Sequence, residues 1–160
     1  MKRTILAFAL VLGLLTPAIP SFAHCQIPCG IYDDELRVQL IEEHIGTVEK
    51  SMKKIVELGS QKTVDYNQLV RWVDNKETHA QEIQDIVTEY FMAQRIKPST
   101  SPGDGKTTKD YFNKLSLLHA IQVHAMKAKQ GTDLSEIEKL RELTAQFRTA
   151  YFGADEAHTH

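Results

Sequence analysis

The sequence lacks several features, and each absence excludes a class of protein. It has only two cysteines among 160 residues, in a C-x3-C spacing that excludes a thioredoxin-type C-x-x-C pair and a C-x-x-C-H haem site. Two cysteines also supply a four-ligand structural zinc site poorly. A formal net charge of −2 argues against a nucleic-acid partner. No strand alternation and no internal repeat occurs, which favours an all-α fold.

The first 23 residues have the pattern of a secretory signal. Lys2 and Arg3 precede an apolar run over 4–15, and residues 21–23, Ser-Phe-Ala, place small side chains before a cleavage site. The run is shorter than the roughly 20 residues of a membrane-spanning helix, although a retained anchor is the alternative. We expect cleavage to leave 24–160 as one exported domain, periplasmic or secreted, with no stable membrane association and a net charge of −4.

Both cysteines lie in residues 24–32, His-Cys-Gln-Ile-Pro-Cys-Gly-Ile-Tyr, which we call the hook. Cleavage before His24 frees an amine that can bind a metal together with the amide nitrogen and thiolate of Cys25, in two fused five-membered rings. Cys29 would complete a planar N2S2 site, and the His24 imidazole can reach an axial position. This geometry suits nickel(II) or copper(II), and thiolates and a deprotonated amide stabilise the higher oxidation state.

Simpler interpretations of the same residues stay open. Pro28 and Gly30 favour a rigid turn that folds Cys29 back, but such a turn can also merely precede a helix. Tyr32 could cap the open face of the metal with its hydroxyl, or pack on the helices. Without the histidine at the cleavage site, a disulfide between the two cysteines would be favoured in an oxidising compartment.

The motif His-Cys-x-x-Pro-Cys-Gly-x-Tyr at a processed N-terminus resembles the hook of nickel superoxide dismutases. The resemblance implies a four-helix bundle, a homohexamer, and one nickel ion per subunit that cycles between Ni(II) and Ni(III). It implies conversion of superoxide to oxygen and hydrogen peroxide. His24, Cys25 and Cys29 would be the nickel ligands, and the Tyr32 hydroxyl would gate the open axial side.

The resemblance extends more weakly to other positions. Glu89-Tyr90-Phe91 matches an acidic-Tyr-Phe segment of the family, which implies that Tyr90 lies near the metal and takes part in catalysis. A glutamate that members of the family place near the axial histidine would fall at Glu42 or Glu43. The family's arginine would fall near Asn75-Lys76, with Arg71 one turn earlier.

Hydrophobic periodicity predicts four helices in an antiparallel up-and-down bundle that follows the N-terminal hook. The first begins at Asp33 or Asp34 and ends near residue 58, and the second begins after an Asp65 cap and ends near residue 96. A polar loop over 98–106 precedes the third, which begins at Thr107 and ends before Gly131. The fourth begins near Asp133 and ends at Gly153.

The apolar positions of the second helix are expected to face inward: Tyr66, Leu69, Val73, Ala80, Ile83, Val87, Tyr90 and Phe91. Helical histidines such as His44 and His79 lack carboxylate or histidine partners at i+3 or i+4 that define a metal face, which argues against a di-iron bundle. The competing hypothesis for the whole chain is an exported non-enzymatic module. It would be a helical metal carrier using the same hook, or a bundle with a Cys25–Cys29 disulfide.

Overall fold

The computed structural model describes residues 34–98 and 105–153, and these form four helices and no strand. We label the helices α1 (Asp34–Gly59), α2 (Tyr66–Asp85), α3 (Gly105–Gln130) and α4 (Ser135–Phe152). A π-helical segment, Ile86–Arg95, continues α2. The predicted all-α fold is therefore confirmed, whereas the hook lies outside the described residues. No helix in the described ranges is both long and apolar enough to span a membrane.

Each helix packs against the next in the chain, and α4 packs back against α1. Contacts between α1 and α4 run antiparallel, since Glu35 at the start of α1 pairs with Arg148 late in α4. Further along, Glu49 Oε2 lies 2.8 Å from Arg141 Nη2. The short connections after α1 and α3 give the up-and-down order that the sequence predicted.

Apolar residues of α1 recur at alternating steps of three and four, as the predicted helical periodicity requires. Five of them are buried, because this spacing places them on one stripe that faces the other helices. They meet buried residues of the other elements, among which the large aromatic ones are Tyr90, Phe91 and Phe147. The buried stripe of α1 consists of Val38, Ile41, Ile45, Val48 and Met52.

Two of the predicted inward positions of α2 are wrong. Tyr66 is 72 % exposed and Val73 is 38 % exposed. Three positions after Val73, Lys76 faces inward instead and is only 4 % exposed. Its Nζ donates to the main-chain oxygens of Ala128, at 2.9 Å, and Lys129, at the C-terminal end of α3. A lysine can fill this position because helix-end carbonyls have no partners within their own helix.

The ends of the helices follow the predicted signals closely. Asp65 accepts a hydrogen bond from the Gln68 main-chain nitrogen at 3.1 Å and so caps α2. Asp133 accepts one from the nitrogen of Ser135 at 2.9 Å. Gly153 ends α4 with φ of 93°, a conformation that favours glycine. The third helix begins at Gly105, two residues before the predicted Thr107.

The segment Ile86–Arg95 differs from the α-helix that the periodicity predicts, although its end at residue 96 agrees. It is π-helical over ten residues, and the nitrogen of Ile96 still bonds to the oxygen of Phe91, five residues earlier, at 2.8 Å. π-Helical turns are uncommon and are frequent at functional sites. The segment ends beside the first residue of α1, since Arg95 Nε lies 2.8 Å from Asp34 Oδ1.

Candidate functional site

Most of the predicted site residues precede the described part of the chain. His24, Cys25, Cys29 and Tyr32 lie outside the described residues. Tyr90 is described, and it lies at the end of the bundle from which the N-terminal segment departs. The described residues therefore include the surface around Asp34, which follows the last residue of the hook by two positions.

Four side chains from three elements meet at this end, and we call them the Asp34 cluster: Asp34, Tyr90, Arg95 and Tyr151. The hydroxyl of Tyr90 donates to Asp34 Oδ1, to which Arg95 Nε also donates at 2.8 Å. The hydroxyl of Tyr151 donates to Asp34 Oδ2 at 2.6 Å. Arg95 Nη2 donates to the Tyr90 oxygen at 2.8 Å. Both carboxylate oxygens of Asp34 are thus bonded by side chains distant in sequence.

The cluster fixes the protonation states of its members. Burial acts to raise the pKa of Asp34, but the hydrogen bonds from Tyr151 and Tyr90 and the charge of Arg95 outweigh it and lower the pKa. Burial, and then the hydrogen bond to Asp34, raise the pKa of both Tyr90 and Tyr151. At neutral pH the cluster therefore holds a carboxylate, a guanidinium and two neutral phenols.

Tyr90 is enclosed by cations as well as by the carboxylate. The guanidinium carbons of Arg37 and Arg95 each lie 4.8 Å from the centroid of its ring. Its side chain is only 1 % exposed, and the ring meets Phe91 edge-on with 5.2 Å between centroids. This phenol is consequently held in one orientation by contacts with its ring and its hydroxyl.

A cavity of about 260 Å³ opens beside the cluster. Arg95, Lys97 and Lys114 line it together with Tyr151. Its acidic lining residue, Asp110, is paired with Lys114 at 2.8 Å. The lining therefore carries a net positive charge in a protein of negative formal charge, and such a site attracts small anions.

Within 34–98 and 105–153, no group of three or more His, Cys, Asp or Glu side chains is placed to hold a metal ion. The helical histidines are paired in ways that the sequence did not predict. His44 Nδ1 lies 2.8 Å from His79 Nδ1, and His124 Nδ1 lies 2.5 Å from Glu136 Oε2. The thiols and the imidazole of the hook lie outside these ranges.

The sequence missed three members of the cluster as site residues. Asp34 was predicted only as one of two possible first residues of α1, and Tyr151 was not predicted to be a site residue. Arg95 was not singled out, and the arginine of the resemblance was sought earlier in α2. Arg71 is exposed there, and Lys76 bonds to the far end of α3. No local signal marks these residues, because their contacts with Asp34 span 61 positions for Arg95 and 117 for Tyr151.

Comparison with known proteins gives one match. A protein-family model described as nickel-containing superoxide dismutase matches residues 20–154. The matched range includes the hook and all four helices. Searches of curated proteins and of solved structures found no match.

Proposed function

Because this chain belongs to the nickel-containing superoxide dismutase family, it is a nickel-dependent oxidoreductase, and we propose that the hook holds the nickel. The proposal rests on the match to the family model, which begins before His24 and continues to residue 154. The proposed ligands are the amine and imidazole of His24, the amide nitrogen and thiolate of Cys25, and the thiolate of Cys29.

The donor set fits the metal. The two thiolates are soft ligands, and together with a deprotonated amide nitrogen and an amine they donate strongly. Their chelate rings favour a planar arrangement suited to nickel(II). When bound, nickel supplies one-electron chemistry between Ni(II) and Ni(III), so that one superoxide ion is oxidised to oxygen and a second, with two protons, is reduced to hydrogen peroxide. The described bundle has no alternative three-ligand group among its own residues.

The bundle would contribute orientation, charge and protons. The Tyr32 hydroxyl would control access of superoxide to the metal, and Tyr90 would act close to it. Tyr90 suits this role because burial keeps its phenol neutral and Asp34 fixes its hydroxyl. Arg95, Lys97 and Lys114 would attract superoxide to the cavity that they line.

Export and cleavage are part of the proposal. The leader 1–23 would direct the chain to the periplasm or the exterior, and its removal would create the amine of His24. N-terminal sequencing of the protein purified from its host tests this directly. A first residue other than His24 would contradict the proposed ligand set.

A homohexamer with one nickel ion per subunit is also proposed from the family. Helix α2 supports self-association, because it exposes apolar side chains at i, i+4 and i+7. Tyr66 is 72 %, Val70 65 % and Val73 38 % exposed. An apolar stripe of this kind is typical of a surface that a protein partner covers.

The deciding experiment compares two chains. One begins at His24, and the other carries one additional alanine before it, which moves the primary amine away. We expect the first to bind one nickel ion per chain and to accelerate superoxide decay, and the second to lose both properties. Equal nickel content and activity in the two chains would refute the proposed site.

Mass spectrometry of the same samples separates the competing hypotheses. A two-hydrogen deficit without metal would indicate a Cys25–Cys29 disulfide. Nickel binding without catalytic superoxide decay would indicate a carrier.

A further inference from the structure

The first residue of α1 is held unusually firmly. An acidic residue at a helix start ordinarily caps its own main-chain nitrogens or faces solvent near the helix dipole. Asp34 instead accepts hydrogen bonds from Tyr90, Arg95 and Tyr151, and its side chain is only 23 % exposed. The start of α1 is thereby joined to the ends of two other elements.

The π-helical segment makes this arrangement possible. In an α-helix, a residue five positions on lies about 140° around the axis, so Tyr90 and Arg95 would point in different directions. In a π-helix, residues i and i+5 are joined by a hydrogen bond and lie one above the other. Arg95 consequently stacks on the Tyr90 ring and bonds to its hydroxyl while its Nε reaches Asp34.

This arrangement restricts the position of the hook. Cys29 is only five positions before Asp34, so their Cα atoms can be at most about 18 Å apart. Tyr32 is two residues from Asp34, which limits that separation to about 7 Å. Holding Asp34 in place therefore limits where the ligand segment can lie. Misplacing a catalytic group by about 1 Å can lower a catalytic rate strongly.

We propose that Asp34 and Arg95 are positioning residues. Arg95 donates through Nε to Asp34 and through Nη2 to the Tyr90 hydroxyl, and this bridge holds the start of α1, from which the hook extends, against the bundle. The inference rests on the proposed function for its catalytic consequence, but the attachment itself does not require nickel. Arginine is suited to this bridge because its planar guanidinium holds its N–H donors in fixed directions and stacks on a ring, whereas the lysine ammonium is a point charge on a flexible stem.

The test uses the mature chain with Asp34→Asn, Arg95→Gln and Arg95→Lys substitutions. Asp85→Asn and Arg71→Gln are the matched controls, since Asp85 accepts only a Gln81 amide at 2.8 Å and Arg71 is exposed. Far-UV circular dichroism establishes that each variant is folded. If Asp34→Asn does not fold, the two Arg95 variants carry the test.

The first measurement is hydrogen exchange in the metal-free protein. We expect amides within 30–36 to exchange at least about tenfold faster in all three cluster variants, and a peptide from 66–85 to be unchanged. The controls should match the wild type. Unchanged exchange at 30–36 in the cluster variants would overturn the proposal. Wild-type behaviour of Arg95→Lys would also overturn it, because positive charge alone would then suffice.

The second measurement is made on nickel-loaded protein. We expect equal nickel content but a weaker nitrogen hyperfine splitting from the axial imidazole in the Ni(III) electron paramagnetic resonance spectrum. Turnover should fall about tenfold in the cluster variants, and an unaltered spectrum and rate would contradict the catalytic part. Absence of nickel from the wild-type chain would refute the proposed function, while the exchange data would still decide the attachment.

Discussion

The Nδ1 atoms of His44 and His79 lie 2.8 Å apart between α1 and α2. This distance is a hydrogen bond only if one nitrogen carries a proton and the other accepts it. Protonation of both rings would place two N–H groups against each other. The pair thus couples the packing of two helices to the protonation of one ring.

We expect the metal-free bundle to lose stability as the pH falls below about 6.5. Burial, and then the neighbouring His79, lower the pKa of His44, while Glu82 and Glu43 oppose this. The unfolded chain therefore binds more protons than the folded chain below the ordinary histidine pKa, and the free energy of unfolding decreases as the pH falls. Thermal melts between pH 7.5 and 5 measure this slope.

His44→Gln should flatten that slope. His119→Gln is its control, because His119 is exposed on α3. Identical slopes in wild type, His44→Gln and His119→Gln would show that the histidine pair does not control acid stability.

Replacing Tyr90 by phenylalanine removes a hydroxyl that both donates to Asp34 and accepts from Arg95. We expect a loss of roughly 1.5–3 kcal/mol in the free energy of unfolding, the range for hydrogen bonds to charged groups. Turnover should fall several-fold while nickel content stays the same. Urea titration and stopped-flow superoxide decay measure the two effects.

Tyr66→Phe is the control for this variant, since the same atom is removed from a side chain that is 72 % exposed. It should change neither quantity appreciably. A Tyr90→Phe protein indistinguishable from Tyr66→Phe would exclude Tyr90 from the site.

Charge reversal at Lys97 should slow the reaction at low salt. Lys97 is exposed and lines the positive cavity beside Arg95. Lys97→Glu should lower the second-order rate of superoxide decay several-fold, because it repels the incoming anion. The difference should shrink as ionic strength rises and screens the charge.

Lys62→Glu changes the net charge equally but lies in the α1–α2 connection, away from the cavity. It should have little effect at any salt concentration. An equal loss of rate in both variants would attribute the effect to net charge and not to the cavity.

The apolar stripe on α2 predicts a change in assembly. Val70→Glu places a charge at the centre of the exposed stripe, and burying that charge in an interface would be unfavourable. We expect light scattering to give a smaller assembly than for the wild type, at unchanged helix content. Ala145→Glu, on the exposed face of α4, should leave the molecular mass unchanged, and a hexamer that survives Val70→Glu would exclude this stripe as its interface.

Periodicity and capping signals were sufficient to predict the four helices, because both depend on residues within a few positions of each other. Asp65 and Gly153 show this most directly. Asp65 caps the start of α2 and Gly153 ends α4, each through a local contact. The residues that depend on distant partners could not be predicted. Asp34 has the local pattern of a cap, yet its acceptor oxygens are taken by Tyr90, Arg95 and Tyr151, which lie far along the chain.

The same reason explains the errors in α2. Lys76 is charged, so its inward position could not be anticipated without the carbonyl oxygens at the end of α3 that it meets. The π-helical register of Ile86–Arg95 was likewise not visible, because the apolar spacing there also fits an α-helix. The metal ligands, in contrast, were predicted from the spacing of residues within the hook, and they stay a prediction.

The bond from Lys76 to the carbonyl oxygen of Ala128 has a mechanical consequence. The last turn of a helix ordinarily frays by itself, since breaking its final bonds exposes little. Here the end of α3 is fastened by a side chain from the middle of another helix, and that side chain would keep only the Glu77 carboxylate as a partner if the end opened. The two helices should therefore melt at this point as one cooperative unit, and their opening should leave the Asp34 cluster at the other end of the bundle undisturbed.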